Sequence, residues 1–331
     1  MKIQKNISLS SHTSLKIGGP ADFFCRVKTK KDLMDCLTVA KKESWPTFFL
    51  GGGSNIFFSD QGFRGLVVKI DNQSLTWQDN ICFAGAGNTL LTLIAAAREQ
   101  NLGGMEWAFG IPANLGGAVF NNAGAFGNTL SQQIKEIEFF DSQKNLFRKI
   151  TPQKAFFGYR ESLFQKNPHW IIWQTTLVWE KKPSKAIQQA INFYFKQRKD
   201  KQPLNYPSAG SFFRNPSIKN LPLNKKEKLI DTFAKDTFLK NQKTGKIKLT
   251  KEKIKEKIKR EQKIPAGYLI EKIGLQGRKI GGIMVSQKHA NFLVNFNQAK
   301  ADDVLILSSL IKQKVRQRFN LQLFEEVQYI T

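Results

Sequence analysis

Apolar residues recur along the chain with two periods, one typical of helices and one typical of strands. Spacings of three and four predict amphipathic helices, the clearest at residues 31–44, 89–100, 184–199 and 301–319. Short apolar runs bounded by turn residues predict strands at residues 22–27, 47–50, 66–70, 81–84, 134–141, 145–150, 170–179 and 323–330. Helices and strands are therefore expected along the whole chain.

Three turns built from small residues interrupt this pattern, at residues 51–55, 85–87 and 110–127. Glycine lets a ligand approach the backbone closely and leaves N–H groups free to point at an anion. Pro112 predicts the first turn of a helix, whose amides favour a phosphate group. The residues alone leave two interpretations open: a cradle for a diphosphate, or a tightly packed turn without a ligand. The turn at 51–55 matches neither GxGxxG nor GxxxxGK[ST], which weakens a Rossmann or P-loop assignment.

The length and composition fit a globular protein of two or three domains. Residues near Met1 lack the pattern of a signal peptide, and no apolar run approaches the roughly 20 residues that span a bilayer. We therefore expect a cytoplasmic protein that does not enter a membrane. Cys25, Cys36 and Cys82 lie in apolar surroundings without metal-ligand spacing, so we expect buried, reduced thiols and no metal site.

The formal net charge of +26 would attract polyanions, including nucleic acid. Much of it lies in residues 217–264, where the run KEKIKEKIKREQKI has opposite charges four residues apart and predicts a solvated helix. Aromatic residues are scarce in that run, so the stacking surface of a single-strand binder is missing. We therefore do not expect nucleic acid to be a partner.

Several motifs, in order along most of the chain, resemble the UDP-N-acetylenolpyruvoylglucosamine reductases, the FAD enzymes of bacterial peptidoglycan precursor synthesis and hence of cell wall biogenesis. The matching segments are HTSLKIGGPADFF at 12–24, LGGGSN at 50–55, GAG at 85–87, GIPANLGGAVFNNAGAFG at 110–127, GYRES at 158–162, YPSAGSFFRNP at 206–216, AGYLIEKIGLQGRKIGG at 266–282, KHANFLVN at 288–295 and EEVQYI at 325–330.

The resemblance implies an α+β fold. A two-part FAD-binding region of the vanillyl-alcohol-oxidase-like (PCMH) type would occupy residues 1–71 and 72–203, and an α+β substrate-binding domain would occupy residues 204–318. Residues 319–331 could return to the first part. The short spacing from Arg160 to Ser211 indicates the shorter-loop type, which lacks an inserted tyrosine loop. The lysine-rich segment at about 217–265 departs from the family pattern and is expected to be an insertion, whose role the sequence leaves open.

The resemblance also implies FAD as the cofactor and NADPH as the electron donor. The three histidines His12, His169 and His289 are expected to lie away from the glycine turns, so the FAD is expected to be non-covalent. The cofactor-binding residues implied are Gly51, Gly52, Gly53, Ser54, Asn55, Gly85, Gly87, Gly110, Ile111, Pro112, Ala113, Gly116, Gly117, Ala118, Asn122, Gly124 and Ala125.

In the family, a hydride passes from the flavin to the enolpyruvyl ether of a UDP-sugar, and negative charge develops on the neighbouring carbon and its carboxylate. By its place in GYRES, Arg160 matches the arginine that stabilises this charge. Ser211 matches the serine that protonates the carbon as general acid. Glu326 matches the catalytic glutamate, and Glu325 is its rival because adjacent strand residues face opposite sides.

Four further residues are expected to bind substrate: Tyr159, Lys201, Asn215 and His289. A structural role is the alternative for the last three. Two other functions remain as alternatives at this stage. One is an oxidase of the same fold with another substrate, which the joint presence of Arg160, Ser211 and Glu326 disfavours. The other is a basic scaffold or nucleic-acid-binding protein built on a degenerate flavin fold.

Overall fold

The computed structural model of the protein describes residues 1–243 and 250–331. The described chain divides into two compact units. The first unit comprises Met1–Ala209 together with Gln328–Thr331, and the second comprises Gly210–Val327. Within the predicted insertion, residues 244–249 lie outside the described residues. The finer division of the first unit at residue 71 stays a prediction.

The α-helices of the described residues are α1 (Lys30–Lys42), α2 (Leu90–Glu99), α3 (Leu115–Phe120), α4 (Leu163–Lys166), α5 (Ser184–Lys201), α6 (Leu223–Lys243), α7 (Lys251–Glu261), α8 (Ala266–Lys272) and α9 (Ala301–Phe319). Short 3-10 helices lie at Leu9–His12, Glu106–Ala108 and Leu130–Gln133. The four helices predicted from apolar periodicity are therefore confirmed.

The β-strands are β1 (Ile3–Ser8), β2 (Pro20–Val27), β3 (Thr47–Leu50), β4 (Ile56–Phe58), β5 (Phe63–Ile70), β6 (Leu75–Gln78), β7 (Ile81–Gly85), β8 (Leu102–Gly103), β9 (Gly124–Ala125), β10 (Asn128–Thr129), β11 (Ile134–Asp141), β12 (Leu146–Ile150), β13 (Trp170–Val178), β14 (Glu180–Lys181), β15 (Ser208–Ser211), β16 (Lys279–Ile280), β17 (Ile283–Val285), β18 (Phe292–Asn295) and β19 (Gln328–Ile330).

The first sheet of the first unit has the strand order β1-β2-β5-β3. Strands β2 and β3 both run parallel to β5, as expected where a helix connects them. That helix, α1, begins at a capping box in which the Thr29 side chain accepts from the Asp32 amide. Its buried face, Leu33 and Cys36, packs with Cys25 of β2 in the core. All three cysteines of the chain are buried and free, as the sequence predicts.

The second sheet of the first unit has the order β12-β11-β13-β7-β6, and its strand pairs are antiparallel. Helix α2 begins at Thr89, whose side chain accepts a hydrogen bond from the Thr92 amide. The apolar face of α2 is fully buried, as its helical spacing predicts. The strand that leads into the turn at 85–87 is β7, so this turn is fixed at the edge of a packed core.

The second unit contains the sheet β15-β18-β17-β16 and helices α8 and α9. Helix α9 begins where Asp303 accepts from the Lys300 amide and ends at Asn320, which has a left-handed backbone with φ 56°. Its buried face includes Val304, Leu307 and Ile311. The helix thus covers the sheet that carries Ser211 at the end of β15.

The predicted solvated helix of the insertion is α7. It is exposed except on one stripe, where Ile254 and Ile258 are buried. Lys257 and Glu261, four residues apart, form the expected ion pair at 3.9 Å. Among the described residues, no helix combines the length and apolar character needed to cross a membrane.

Two predicted boundaries were wrong. The last strand was predicted at residues 323–330, whereas β19 begins only at Gln328 and pairs in parallel with β4. The residues before β19 instead pair with the segment after Ser211, at one isolated β-bridge between Phe213 and Glu325. Pro112 does not begin a helix either. Helix α3 begins at Leu115, because the Ala113 carbonyl is occupied by the Leu90 amide at 3.0 Å.

Candidate active site

The glycine turns at 85–87 and 110–127, far apart in sequence, lie against each other in the first unit. The Gly116 amide donates to the Ala86 carbonyl at 2.9 Å, and the Leu115 amide donates to the Asn88 carbonyl at 2.8 Å. The Asn114 side chain adds a hydrogen bond to the Gly87 carbonyl at 2.9 Å. The start of α3 is therefore held by the backbone of the second turn.

The turn at 51–55 lies against the same place. A Cβ atom built on Gly52 would lie 2.9 Å from Oδ1 of Asn114, and one built on Gly51 would lie 3.7 Å from the backbone nitrogen of Gly117. All three glycine turns therefore converge. The structure thus brings together the segments that the resemblance assigns to FAD.

Gly53 and Gly117 differ in the reason why glycine occupies the position. Gly53 has φ +64°, and a Cβ there would lie 1.9 Å from the His12 carbonyl oxygen, so the protein's own packing demands glycine. At Gly117, by contrast, an added Cβ would meet no described atom within 4 Å. Packing among the described residues does not explain a glycine at that position, whereas a ligand lying against the backbone would.

Two backbone N–H groups in the same region are available to donate to a bound anion. Within residues 1–243 and 250–331, the amides of Gly52 and Gly53 donate to no protein acceptor, although Gly53 is buried. Buried N–H groups in native structures nearly always have a partner. The open backbone at Gly117 and these two donors fit a bound cofactor with a diphosphate, and so the residues present fit FAD.

Several other predicted cofactor-binding residues of the loop at 110–127 have contacts within the protein itself. Ala118 is buried, and its amide donates to the Asn114 carbonyl at 2.9 Å. Asn122 is also buried, and its side chain accepts from the Ser131 amide at 3.1 Å. Gly124 and Ala125 form the short strand β9 with β10. Asn122 thus has a structural role whether or not it touches the cofactor.

Arg198 on α5 supports the start of this loop, and the sequence reasoning missed it. Its Nε donates to the Phe109 carbonyl and its Nη2 to the Trp107 carbonyl, both at 2.9 Å. Burial lowers the pKa of Arg198 to about 10. The sequence contained an indication of this role, because Arg198 lies at helical spacing on the same buried face as Ile187 and Ile191. An arginine on the apolar face of a helix is typical of a buried partner site.

Asn72 supports the turn at 85–87 and was likewise not predicted. Its carbonyl accepts from the Gly87 amide at 2.8 Å, and its side chain donates to the Trp173 carbonyl at 3.0 Å. The turn is therefore tied to a strand about 90 residues away. No local pattern in the sequence around Asn72 indicates these partners.

Arg160 lies on a tight turn that packs on the glycine loop. The turn is closed by the Gly158 amide, which donates to the Glu161 carbonyl at 3.0 Å, and Arg160 has φ 59°. Nη2 of Arg160 donates to the Gly124 carbonyl at 2.8 Å. Its guanidinium also lies 5.7 Å from the ring centroid of Tyr159. The predicted catalytic arginine therefore contacts the predicted cofactor loop within the first unit.

Ser211 and Glu326 belong to adjacent segments of the second unit, although 115 residues separate them. The Glu326 amide donates to the carbonyl of Phe212, the residue after Ser211, at 2.8 Å. Glu325 forms an ion pair with Lys312 of α9 at 2.5 Å. Glu325 is thus engaged by a helix, and the choice between the two glutamates stays a prediction.

Two of the predicted substrate-binding residues, Asn215 and His289, form hydrogen bonds with the backbone of the second unit. Oδ1 of Asn215 accepts from the Ala266 amide at 3.0 Å, at the start of α8. Nδ1 of His289 accepts from the Asn291 amide at 3.2 Å, and its ring lies 4.8 Å from that of Phe292. Lys201 is exposed in the last turn of α5. Their roles in substrate binding stay predictions.

The expectation that His12 lies away from the glycine turns was wrong. Its carbonyl lies against Gly53, and its ring stacks on Phe24 with centroids 4.5 Å apart. Burial, together with the positive charges of nearby Lys69, Arg26 and Lys16, lowers the pKa of His12 from 6.5 to about 4. The separation in sequence was misleading, because the residues around His12 fold back over the turn at 51–55.

The part of the chain that the structure describes contains no group of three or more histidine, cysteine or acidic side chains that could hold a metal ion.

Comparisons with known families match both parts of the chain. The model of an FAD binding domain matches residues 21–147. The model described as UDP-N-acetylenolpyruvoylglucosamine reductase, C-terminal domain, matches residues 202–330. The first match covers all three glycine turns, and the second covers Ser211 and Glu326.

Relatives match over the full length. UDP-N-acetylenolpyruvoylglucosamine reductase of Solibacter usitatus is 32% identical over 100% of this chain and 97% of its own. The enzyme of that name from Synechococcus sp. is 32% identical over 99% of this chain and 91% of its own.

Among solved structures, the UDP-N-acetylenolpyruvylglucosamine reductase of Thermus caldophilus has a TM-score of 0.73 and is 28% identical, with 100% of each chain covered. The fold prediction, an α+β protein with an FAD-binding region, is confirmed by these matches. The chain is therefore an FAD-dependent oxidoreductase that belongs to the UDP-N-acetylenolpyruvoylglucosamine reductase family.

Proposed function

We propose that the protein reduces UDP-N-acetylglucosamine enolpyruvate to UDP-N-acetylmuramate with NADPH, in the cytoplasm, as a step in the synthesis of peptidoglycan precursors. One observation carries the proposal most directly. Three glycine turns converge around the open backbone at Gly117, and Arg160 is hydrogen bonded to Gly124 of one of those turns. A cradle for a cofactor is thus combined with a cation suited to a carboxylate substrate.

The FAD would be held by the backbone of the three turns, with the amides of Gly52 and Gly53 available for its diphosphate. When bound, FAD accepts a hydride from NADPH and supplies one to the methylene carbon of the enolpyruvyl ether. The protein's own task is to orient the substrate and to stabilise and protonate what that addition leaves behind.

Arg160 would stabilise the negative charge that develops on the substrate's α-carbon and carboxylate. A guanidinium is always charged, and its planar fork can donate two hydrogen bonds to one carboxylate. One of its nitrogens is already bound to the Gly124 carbonyl, which fixes the direction of the group before substrate arrives. Preorganised donors of this kind contribute most to rate enhancement when charge develops beside them.

Ser211 would donate the proton to the α-carbon. A serine hydroxyl is a weak acid, so it can act only on a strongly basic carbon and only if its position is fixed. The residue after it, Phe212, forms hydrogen bonds through both its amide and its carbonyl group. Its amide donates to the Asn291 carbonyl at 2.7 Å, and its carbonyl accepts from the Glu326 amide. The backbone that carries Ser211 is therefore rigid.

Glu326 would act beside Ser211, either sharing a proton with the enolate or orienting the serine hydroxyl. Its amide contact with Phe212 brings the two segments within hydrogen-bonding distance. The ion pair with Lys312 directs the carboxylate of Glu325 toward α9.

The basic charge of the insertion is, on this proposal, not a nucleic-acid surface. Part of it is neutralised by neighbours, since Lys255 lies 2.6 Å from Asp231 and Lys257 lies 3.9 Å from Glu261. Paired lysines have less charge to offer to a polyanion. A protein partner for this surface stays unassigned.

The proposal is tested with purified protein under anaerobic conditions. We expect the protein to carry FAD, NADPH to bleach the flavin absorbance, and UDP-N-acetylglucosamine enolpyruvate to restore it promptly. UDP-N-acetylglucosamine without the enolpyruvyl group serves as the matched control and should restore nothing. A protein that takes up no FAD, or whose bleached flavin is not restored by the enolpyruvyl sugar, would contradict the proposal.

A further inference from the structure

Asn291 is a buried asparagine whose side chain binds both backbone groups of one residue in the second unit. Its Oδ1 accepts from the Phe213 amide at 3.0 Å, and its Nδ2 donates to the Phe213 carbonyl at 2.9 Å. Asn291 is only 4% exposed, and Phe213 is 1% exposed. The carboxamide thus makes the two backbone hydrogen bonds that a neighbouring strand would otherwise make with Phe213.

The backbone of Asn291 extends the same contact toward Ser211. Its carbonyl accepts from the Phe212 amide at 2.7 Å. That hydrogen bond fixes the peptide plane between Ser211 and Phe212, and with it the direction of the Ser211 main chain. On the other side of the segment, the Phe212 carbonyl accepts from the Glu326 amide. The segment after Ser211 is thus fixed between Asn291 and Glu326.

Asn291 also orients His289. The Asn291 amide donates to Nδ1 of His289 at 3.2 Å, so a neutral imidazole must carry its proton on Nε2. The ring lies 4.8 Å from Phe292, which limits its rotation. One residue therefore determines the backbone beside Ser211 and the tautomer of His289.

We propose that Asn291 is a positioning residue for the protonation step, acting through Ser211 rather than on the substrate itself. This inference rests on the proposed role of Ser211 as the general acid. It goes further by assigning the fixed geometry of that serine to one buried carboxamide, which neither composition nor local pattern around residues 288–295 indicates.

Only an amide side chain offers a donor and an acceptor with this spacing. Aspartate at the same position keeps an acceptor for the Phe213 amide but places a carboxylate oxygen against the Phe213 carbonyl. A buried acceptor facing another acceptor is destabilising, because neither is solvated. The segment after Ser211 would then move, even though Ser211 itself is unchanged.

Asn295, the last residue of β18, provides a matched control, since Asn291 directly precedes the same strand. It is 8% exposed, and its Oδ1 accepts from the Ala299 amide at 2.9 Å. It is thus a second buried asparagine whose side chain binds backbone, here the turn before α9 at Ala299. Asn295→Asp should lower stability without a selective effect on the protonation step.

The experiment compares Asn291→Asp and Asn295→Asp with the wild type by rapid mixing, in two separate half-reactions. For Asn291→Asp we expect restoration of the flavin absorbance by saturating substrate to slow at least about tenfold, with bleaching by NADPH changed less than about twofold. The KM for the enolpyruvyl sugar should change little. Hydrogen exchange should also be faster at the Phe212 and Phe213 amides, and only in this variant.

Equal effects of the two variants on both half-reactions would overturn the inference, as would unchanged exchange at the Phe212 and Phe213 amides. If Asn291→Asp does not fold, Asn291→Ser, which removes the carboxamide without adding charge, is put through the same comparison and decides between these results. Failure of the proposed function is distinguishable, because then the wild type and Asn295→Asp would also not respond to the enolpyruvyl sugar.

Discussion

Nη2 of Arg160 donates a hydrogen bond of 2.8 Å to the carbonyl oxygen of Gly124. The contact joins a residue from the GYRES turn to the glycine loop at 110–127, so the guanidinium is attached to one of the three glycine turns of the first unit. Arg160 adopts φ 59°, a conformation that few residues other than glycine favour. Such a conformation persists where surrounding contacts fix it.

Replacing Arg160 by lysine should slow the protonation half-reaction strongly. A lysine retains the charge but cannot donate to Gly124 and to a carboxylate through one planar fork. Loss of one preorganised donor at developing charge costs roughly 10²- to 10³-fold in rate. The measurement is the rate at which substrate restores the flavin absorbance. Arg148→Lys is the matched control, since Arg148 pairs with Asp141 at 3.1 Å elsewhere in the same unit, and it should leave that rate unchanged.

Gly117→Ala should weaken FAD binding without destabilising the protein. The added methyl group meets no described atom within 4 Å, and alanine is favoured over glycine inside a helix by about 1 kcal/mol. A methyl group between the backbone and the cofactor should cost one charge-assisted hydrogen bond, about 1.5–3 kcal/mol, and hence about tenfold or more in affinity. Fluorescence titration of the apoprotein with FAD and thermal unfolding give the two quantities.

The contrasting variant is Gly53→Ala. Its methyl group would overlap the His12 carbonyl at 1.9 Å, and its φ is +64°. We therefore expect a loss of about 2 kcal/mol or more in stability even without the cofactor. If Gly117→Ala behaved like Gly53→Ala, the glycine at 117 would be a packing residue and the cradle would be wrongly placed.

The adjacent glutamates should differ when each is changed to glutamine. Glu326→Gln should slow the protonation half-reaction, because it removes the carboxylate of the residue whose amide binds the segment after Ser211. Glu325→Gln removes the partner of Lys312, a partly exposed ion pair worth at most about 1 kcal/mol, and should leave the rate near that of the wild type. The reverse result in rapid-mixing experiments would assign the catalytic role to Glu325.

The partly buried ring of His12 should make stability depend on pH. Its folded pKa of about 4 lies below its ordinary value of 6.5. Between these values the unfolded chain binds a proton at His12 that the folded protein does not, so the free energy of unfolding falls as the pH is lowered through this window. Above pH 6.5 this contribution to stability is fully present.

Urea unfolding at a series of pH values measures this effect. His12→Phe keeps an aromatic ring against Phe24 but cannot be protonated, so its stability should fall less between pH 6.5 and pH 4 than that of the wild type. Parallel pH curves for the two proteins would show that His12 is accessible to protons in the folded state.

The local sequence pattern was sufficient to predict helices whose buried face matches the spacing of their apolar residues. Helix α9 was predicted with the observed bounds, because Val304, Leu307 and Ile311 repeat at helical spacing and Asn320 can adopt the left-handed conformation that ends the helix. The order of motifs along the chain also grouped the three glycine turns, which lie against each other in the folded chain.

What could not be predicted depends on partners that are distant in sequence. Asn72 reaches Trp173, and Asn291 reaches Phe213, and neither pair is suggested by neighbouring residues. The strand predicted at residues 323–330 was too long, because Glu325 and Glu326 bind the segment after Ser211 instead of continuing toward β19. His12 was misplaced for the same reason, since contact with Gly53 arises only in the folded chain.

The role assigned to Ser211 is tested most directly by following the two half-reactions of Ser211→Ala in an anaerobic rapid-mixing experiment. NADPH should bleach the flavin at nearly the wild-type rate, since the cradle lies in another unit, while restoration by UDP-N-acetylglucosamine enolpyruvate should become severely slow. An equal loss in both half-reactions, or wild-type restoration, would contradict the assignment of Ser211 as the proton donor.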